Sequence, residues 1–504
     1  MKWLSKILTG AAYVLSGTKN CQLHSCRSRL RSWELGGYTD ISSSPHIHDF
    51  LKLVVTPKFS PPDWLPVLPL SIESSGQELA WIGENQDTPI DPRYDPFYFP
   101  FKDRYEFREN GDVIEFRELG LSTILNNIDK CYQVSYRTES TLGWPQADVT
   151  TILIPKRPNG KVISYQSWED AVGLQCSPSY ILATGSLNPI LDILLEIGYV
   201  INYPDHQGQN SSFAAGIKEG KSTLDSIRAF LGFRNQAGLG YESYDEIILW
   251  GFSGGSIPTG HAAELQASYA PELSSNLKGA VCGGFMTNIT QIFHSINGGI
   301  FAGFAIAGIW GLATEYPRIH DALEQHLRPG LRWRYDNLEK TCIFTNLANH
   351  LFVNIWGYTD DIHGDFFLQD QQLVACLDQE TLGVHTYPKI PMMIYHGVQD
   401  EISDVRDVDR VVTAYCQGGT RVDYYRLNSV EHMLTDLLSI VDCLKWIAKT
   451  FDGYIPPLHR DYQEAIVASR SYFGDDGNGQ YENLLWGKWD AAGILAIEGI
   501  SPMQ

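Results

Sequence analysis

Positive charge is scarce in this chain. Lysine and arginine total 38 against 59 aspartates and glutamates, a formal net charge of -21 over 504 residues. A phosphate backbone is bound by clustered cations, so nucleic acid is excluded as a partner. Cysteine is sparse too: the chain has 9, with no C-x-x-C pair and no Cys/His ligand spacing. A structural zinc site is therefore not expected, and the odd number leaves at least one thiol unpaired if the rest are bridged. Beyond the N-terminus no run approaches the ~20 apolar residues of a membrane span, and there is no internal repeat. His46-Ile47-His48-Asp49 has no further ligands beside it and reads as a solvated loop. His459-Arg460-Asp461 echoes a kinase triplet but lacks the glycine-rich loop and lysine strand that accompany one. The sequons at Asn210 and Asn288 are no more than chance supplies.

What the chain has in quantity is apolar and aromatic side chains, 43% and 12% of the total. That is enough for a packed core, and the length calls for one large domain with insertions or for two domains. At the N-terminus, Lys2 and Lys6 precede a short apolar region, residues 7–15. This reads as a signal peptide cleaved near Ser16 or Gly17, with an ordinary amphipathic segment as the plain alternative; secretion is the expectation. Residues 18–90 mix Arg27, Arg29 and Arg31 with serine and proline stretches and are expected to be irregular.

From about Cys131 the pattern becomes regular. Strands are expected at 149–154, 161–166, 199–203, 247–250, 278–282, 391–395 and 421–426. Helices are expected at 188–197, 219–230 and 257–268. Short apolar strands alternating with helices imply a parallel sheet covered on both faces. The stretch of more than a hundred residues between Val281 and Met392 is too long for a simple crossover and is read as a mostly helical insertion. It opens on a glycine-rich run, 297–311, with Ile300, Phe301, Phe304, Ile306 and Ile309. These side chains carry more apolar surface than one helix face needs and suit a cap core.

Gly251-Phe252-Ser253-Gly254-Gly255 matches G-x-S-x-G between an expected strand and an expected helix. A sharp strand-to-helix turn strains the serine backbone and leaves room only for small neighbours. The helix N-terminus behind it offers free N–H groups to a developing oxyanion, and Gly254 would supply one. A serine needs a base to take its proton, and the α/β-hydrolase order is Ser, then Asp or Glu, then His, each after a later strand. Asp400 follows the 391–395 strand and His432 follows the next. Glu401 and Asp404 are rivals to Asp400, and His396 is the rival to His432.

The run 251–273 resembles the elbow of the fungal secretory lipases. Further stretches agree in the same order: DPRYDPFYFP at 91–100, VISYQSWEDAVGLQCSPSY at 162–180, GYVINYPDHQGQNSSFAAG at 198–216, and AVCGGFMTN followed by NGGIFAGFAIAGIWG. The likeness covers about residues 91–453. It implies a catalytic Ser253, Asp400 and His432, with Asp170 joining Gly254 at the oxyanion. A carboxylate beside an oxyanion is unfavourable unless protonated, so the backbone N–H of Asp170 is the expected donor. The resemblance also implies a disulfide between Cys176 and Cys342; no cysteine just before His432 provides the family's second.

The expected organisation is an N-terminal extension (1–90), an α/β-hydrolase domain (91–458) with a helical cap inserted at about 285–385, and a tail (459–504) that is acidic and aromatic. The implied activity is hydrolysis of carboxylic esters of lipids through an acyl-enzyme. It requires neither cofactor nor metal, with transient contact at a lipid interface. An esterase or acyltransferase of secondary metabolism would share this triad. A non-catalytic binding protein on the same scaffold is disfavoured by an intact elbow, acid and histidine.

Overall fold

The computed structural model describes residues 90–467, apart from 121–124, 126, 186, 187, 241–243, 362 and 429. The expected signal peptide, the motif at His46, the stretch up to residue 89 and the tail beyond 467 lie outside the described residues.

A nine-stranded sheet organises the described chain, in the order β1-β2-β3-β5-β4-β6-β7-β8-β9. The strands are β1 Val113–Glu118, β2 Ile128–Glu139, β3 Pro145–Pro155, β4 Val162–Gln166, β5 Val200–Pro204, β6 Ile247–Phe252, β7 Leu277–Gly283, β8 Met392–Gly397 and β9 Val422–Leu427. Pairings from β1 to β5 through β2 and β3 are antiparallel, and those from β5 to β9 are parallel. β4, β5, β6 and β8 are buried along their whole length. That burial fits their mostly apolar sequences, in which Ser164, Gln166, Asn202 and His396 are the buried polar exceptions.

Helices cover both faces. Leu224, Ile227 and Phe230 of the helix Gly216–Phe233, Ala262 of Ser256–Tyr269 and Val408 of Val405–Gln417 pack with Leu249, Cys282 and Ile394 of the sheet. Successive strand residues point to opposite faces, and Tyr395 accordingly reaches the helix His432–Phe451, where its hydroxyl donates to Asp436 (3.3 Å). The fold is the α/β-hydrolase type expected from the sequence.

Between β7 and β8 the chain is helical, including Ile289–Ile296, Ala302–Glu315, Pro317–His326, Ile343–Asn349 and Gln371–Gln379. The glycines of this insertion serve close packing. A Cβ on Gly308 would lie 2.6 Å from the Phe293 ring, and one on Gly311 would lie 2.2 Å from the Phe213 carbonyl oxygen. Ile300, Ile306 and Ile309 are buried, the last two within the core of the insertion, while Phe301 and Phe304 are half-buried and stacked on each other. Three ties hold the insertion to the sheet domain. Cys176 and Cys342 form the disulfide that the resemblance implied. Glu315 accepts from Thr141 N–H (2.6 Å), Gln146 Nε2 (3.1 Å) and Ser212 Oγ (3.1 Å). Glu380 accepts from Ile217 N–H (2.9 Å) and Tyr316 Oη (2.6 Å).

Candidate active site

The parallel strands deliver every candidate residue to one edge of the sheet. Ser253 follows β6, Asp400 follows β8, His432 follows β9, and the loop 167–170 follows β4. Loops at the C-terminal ends of parallel strands are where such folds place their chemistry.

Ser253 has φ 54°, the left-handed region that a non-glycine residue rarely adopts. It leads through a short 3-10 turn, Ser253–Gly255, into the helix Ser256–Tyr269. Its neighbours must be small. A Cβ on Gly251 would fall 2.0 Å from the Gly255 carbonyl oxygen, and one on Gly255 the same distance from the Gln166 carbonyl oxygen. Ser256 Oγ closes the turn by donating to Ser253 O (2.6 Å).

His432 opens the helix His432–Phe451. Its Nε2 lies 2.8 Å from Ser253 Oγ and its Nδ1 lies 2.6 Å from Asp400 Oδ2. Asp400 is fixed from behind, since its Oδ1 accepts from the N–H groups of Ile402 (3.0 Å) and Ser403 (2.9 Å). With Nδ1–H donated to Asp400, Nε2 is the free base facing the serine hydroxyl. Burial alone would raise the Asp400 pKa, but the facing His432 and His396 rings and the hydrogen bonds bring it down to about 2. Burial opposes a charge on His432; Asp400, Glu401 and Asp170 outweigh it and raise its pKa.

The rival residues are occupied elsewhere. Asp404 caps the helix Val405–Gln417 by accepting from Arg406 N–H (2.8 Å). Glu401 accepts the backbone N–H of His432 (3.0 Å) and so anchors the start of that helix. His396 is fully buried; its Nδ1 accepts from Phe285 N–H (3.0 Å) and its Nε2 faces Ser403 O (3.0 Å). It brackets the acid loop against the end of β7, and its Nε2 is 3.6 Å from Asp400 Oδ2, beyond hydrogen-bond range.

Asp170 is buried with φ 48°, and its Oδ1 makes no hydrogen bond. The carboxyl lies directly over Gly254: a Cβ there would be 1.6 Å from Oδ1. Burial, then the charge of Glu219, push the Asp170 pKa up to about 7, against the opposing pull of His206 and His432. Turned to suit its neighbours, the Gln207 amide donates to Ala171 O (2.5 Å) and accepts from Asp170 N–H (3.3 Å). The bond to Asp170 is long, which leaves that N–H able to share a second acceptor. Sequence reasoning missed His206 and Gln207. Their only trace was the Pro204-Asp205-His206-Gln207 run after β5, which spacing alone does not connect to a loop after β4.

Among the described residues no group of three or more His, Cys, Asp or Glu side chains could hold a metal ion. The arrangement of Ser253, His432 and Asp400 suits nucleophilic acyl transfer, which asks for no metal. Ser253 is 8% exposed and His432 1%, so the pair is largely shielded from water.

The chain is similar to known lipases. The chain is 35% identical to Lipase A of Arthroderma benhamiae over 390 residues, which is 73% of this chain and 81% of that one. It is 31% identical to a secreted triacylglycerol lipase of Malassezia globosa over 72% of its own length and 80% of the relative's. The crystal structure of Candida antarctica lipase A in its closed state superposes with a TM-score of 0.67 at 29% identity, covering 79% of this chain and 96% of that one. A rice cell wall degrading esterase of Xanthomonas oryzae, at 14% identity and a TM-score of 0.56, shares the fold. The family profile described as secretory lipase matches residues 180–457, a span that contains Ser253, Asp400 and His432, and the chain belongs to the secretory lipase family.

Proposed function

We propose that this chain hydrolyses carboxylic esters of lipids, with Ser253 as nucleophile, His432 as general base and then acid, and Asp400 as the carboxylate that fixes the imidazole. The family is one of secreted ester hydrolases, and none of the described helices is long and apolar enough to cross a membrane. The observation that carries the reading is the unbroken hydrogen-bond path from Ser253 Oγ through both nitrogens of His432 to an Asp400 held ionised at neutral pH.

His432 Nε2 takes the Ser253 proton as Oγ attacks the ester carbonyl carbon. The carbonyl oxygen becomes the oxyanion, facing the N–H groups of Gly254 and Asp170. Asp400 stabilises the imidazolium that forms, without itself taking the proton. The imidazolium then protonates the leaving alcohol as the tetrahedral intermediate collapses to an ester on Ser253. Water repeats the cycle and releases the acid. A neutral Asp170 side chain is compatible with an oxyanion, whereas its carboxylate repels one. The reaction is therefore favoured below the Asp170 pKa of about 7 and above that of His432.

A fluorophosphonate ester tests the reading. It should label Ser253 stoichiometrically and abolish ester turnover in proportion. An adduct on another serine, or labelling that leaves turnover intact, would contradict it.

A further inference from the structure

Behind the oxyanion loop lies a second, wholly buried histidine–carboxylate pair to which the triad gives no role. His206 Nε2 is 2.9 Å from the carbonyl oxygen of Ser167, the residue that opens the loop 167–170. A carbonyl only accepts, so Nε2 carries a proton. His206 Nδ1 is 3.3 Å from Glu219 Oε2, and Glu219 Oε1 accepts from Ala214 N–H (2.9 Å). The two side chains are 1% and 0% exposed. The contact is at ion-pair distance without hydrogen-bond geometry, and a neutral His206 would turn a bare nitrogen lone pair toward a buried carboxylate, which favours the imidazolium. Burial opposes that charge; the facing Glu219 carboxylate, the Ser167 carbonyl and Asp170 together raise the His206 pKa above its ordinary value.

We infer that His206 is the positioning residue of the oxyanion loop: locked as a cation by Glu219, it holds the Ser167 carbonyl and thereby sets the Asp170 N–H against Gly254. This rests on the assignment of Asp170 and Gly254 to the oxyanion. The loop has little freedom left. Its start is pressed against Gly255, where a Cβ would meet the Gln166 carbonyl oxygen at 2.0 Å, and Gln207, adjacent to His206, meets Asp170 and Ala171. The loop that carries His206 is itself held in strained backbone, with φ 47° at Ser211 and 70° at Ala214.

Several charged groups share this space. Glu169 and Asp170 come from the oxyanion loop, Glu219 from the helix Gly216–Phe233, Asp205 precedes His206, and Asp148 on β3 is ion-paired to Lys218. Glu169 has no hydrogen-bond partner on either oxygen, and its pKa is raised by burial and then by the surrounding carboxylates. Asp205 is held by Ser179 N–H (2.7 Å) and Ser179 Oγ (2.5 Å). The imidazolium is thus the cation that lowers the Asp170 pKa from this side.

The test is His206→Gln, which keeps an N–H for Ser167 but no charge, beside Glu219→Gln. Rates are normalised to active sites titrated with fluorophosphonate. The expected result is a kcat lower by about tenfold with KM little changed. In His206→Gln the alkaline limb of kcat set by Asp170 should also move up by about half a pH unit or more, because a nearby cation has been lost. The double variant should be no slower than the slower single one. A kcat within twofold of wild type per titrated site, or an unmoved alkaline limb, would overturn the inference, since a merely structural pair alters only the folded fraction. If His206→Gln does not fold, Glu219→Gln carries the kcat arm of the test, because it keeps the Ala214 bond; its alkaline limb should move down instead, because the Glu219 charge that raises the Asp170 pKa is gone. Asp170→Asn separates the two layers: if the wild-type alkaline limb survives that change, the reading of Asp170 has failed rather than that of His206.

Discussion

Two histidine–carboxylate pairs stand close to Ser253, and they are built in opposite ways. His432 and Asp400 are 2.6 Å apart, and the remaining nitrogen of His432 faces a hydroxyl that can give up its proton. His206 and Glu219 are 3.3 Å apart, and the remaining nitrogen of His206 faces a carbonyl that has none to give. The same residue types are poised for proton transfer in one place and fixed in charge in the other. What decides is the atom opposite the second ring nitrogen, not the acid.

The comparison can be broken from either side. Asp400→Asn should be the most damaging, because it favours the tautomer in which Nε2 already carries a proton. The expected loss in kcat/KM is ~10⁴-fold at neutral pH, by analogy with the same change in a serine protease. Gly254→Ala should follow. Its Cβ would fall where the Asp170 carboxyl lies, displacing the oxyanion loop, and loss of an oxyanion donor costs ~10²–10³ in kcat. His206→Gln comes next at about tenfold. Glu401→Gln should be nearly silent in kcat/KM, because glutamine still accepts the His432 N–H; a large loss there with little at Asp400 would reassign the acid.

The pH dependence sharpens the same contrast. Asp400 is lowered to about 2, below its ordinary 3.8, so its stabilising contribution is present above the ordinary carboxylate range. That contribution is lost as pH falls through about 2. His432 is raised, so the acid limb of kcat/KM should lie above 6.5, the ordinary histidine value. In Asp400→Asn that limb should move down, because the charge that stabilised the imidazolium is gone. Removing the Cys176–Cys342 disulfide touches neither pair and should leave kcat per titrated site close to wild type. It should cost about 2–5 kcal/mol of stability in denaturant unfolding.

The sequence disclosed the two halves of this site unequally. The parallel strands β4 to β9 were legible because burial leaves a short, mostly apolar stretch in each, despite polar members such as Asn202, Lys278 and Asp423. Ser253, Asp400 and His432 follow from those strands, since each lies just past a strand end in the order such sheets require. β1 and β2 were not picked out. Glu115, Arg117 and Glu118 on β1, with Asp129 and Lys130 on β2, interrupt the apolar pattern, as expected where part of a strand is solvated. Asp170 came from family resemblance, because one carboxylate after a strand ordinarily reads as a turn or cap residue. The pairing of His206 with Glu219 left no signal: they meet across a loop and a helix, and no periodicity links them to β4. In the glycine-rich run, Gly308 and Gly311 allow close packing on Phe293 and Phe213.

The most direct measurement is the first turnover with p-nitrophenyl octanoate, following p-nitrophenol release and mapping the acyl group in quenched protein. The account predicts a burst stoichiometric with active sites, the octanoyl group on Ser253, and neither burst nor adduct in Ser253→Ala. An acyl group on any other residue, or a burst that survives Ser253→Ala, would contradict it.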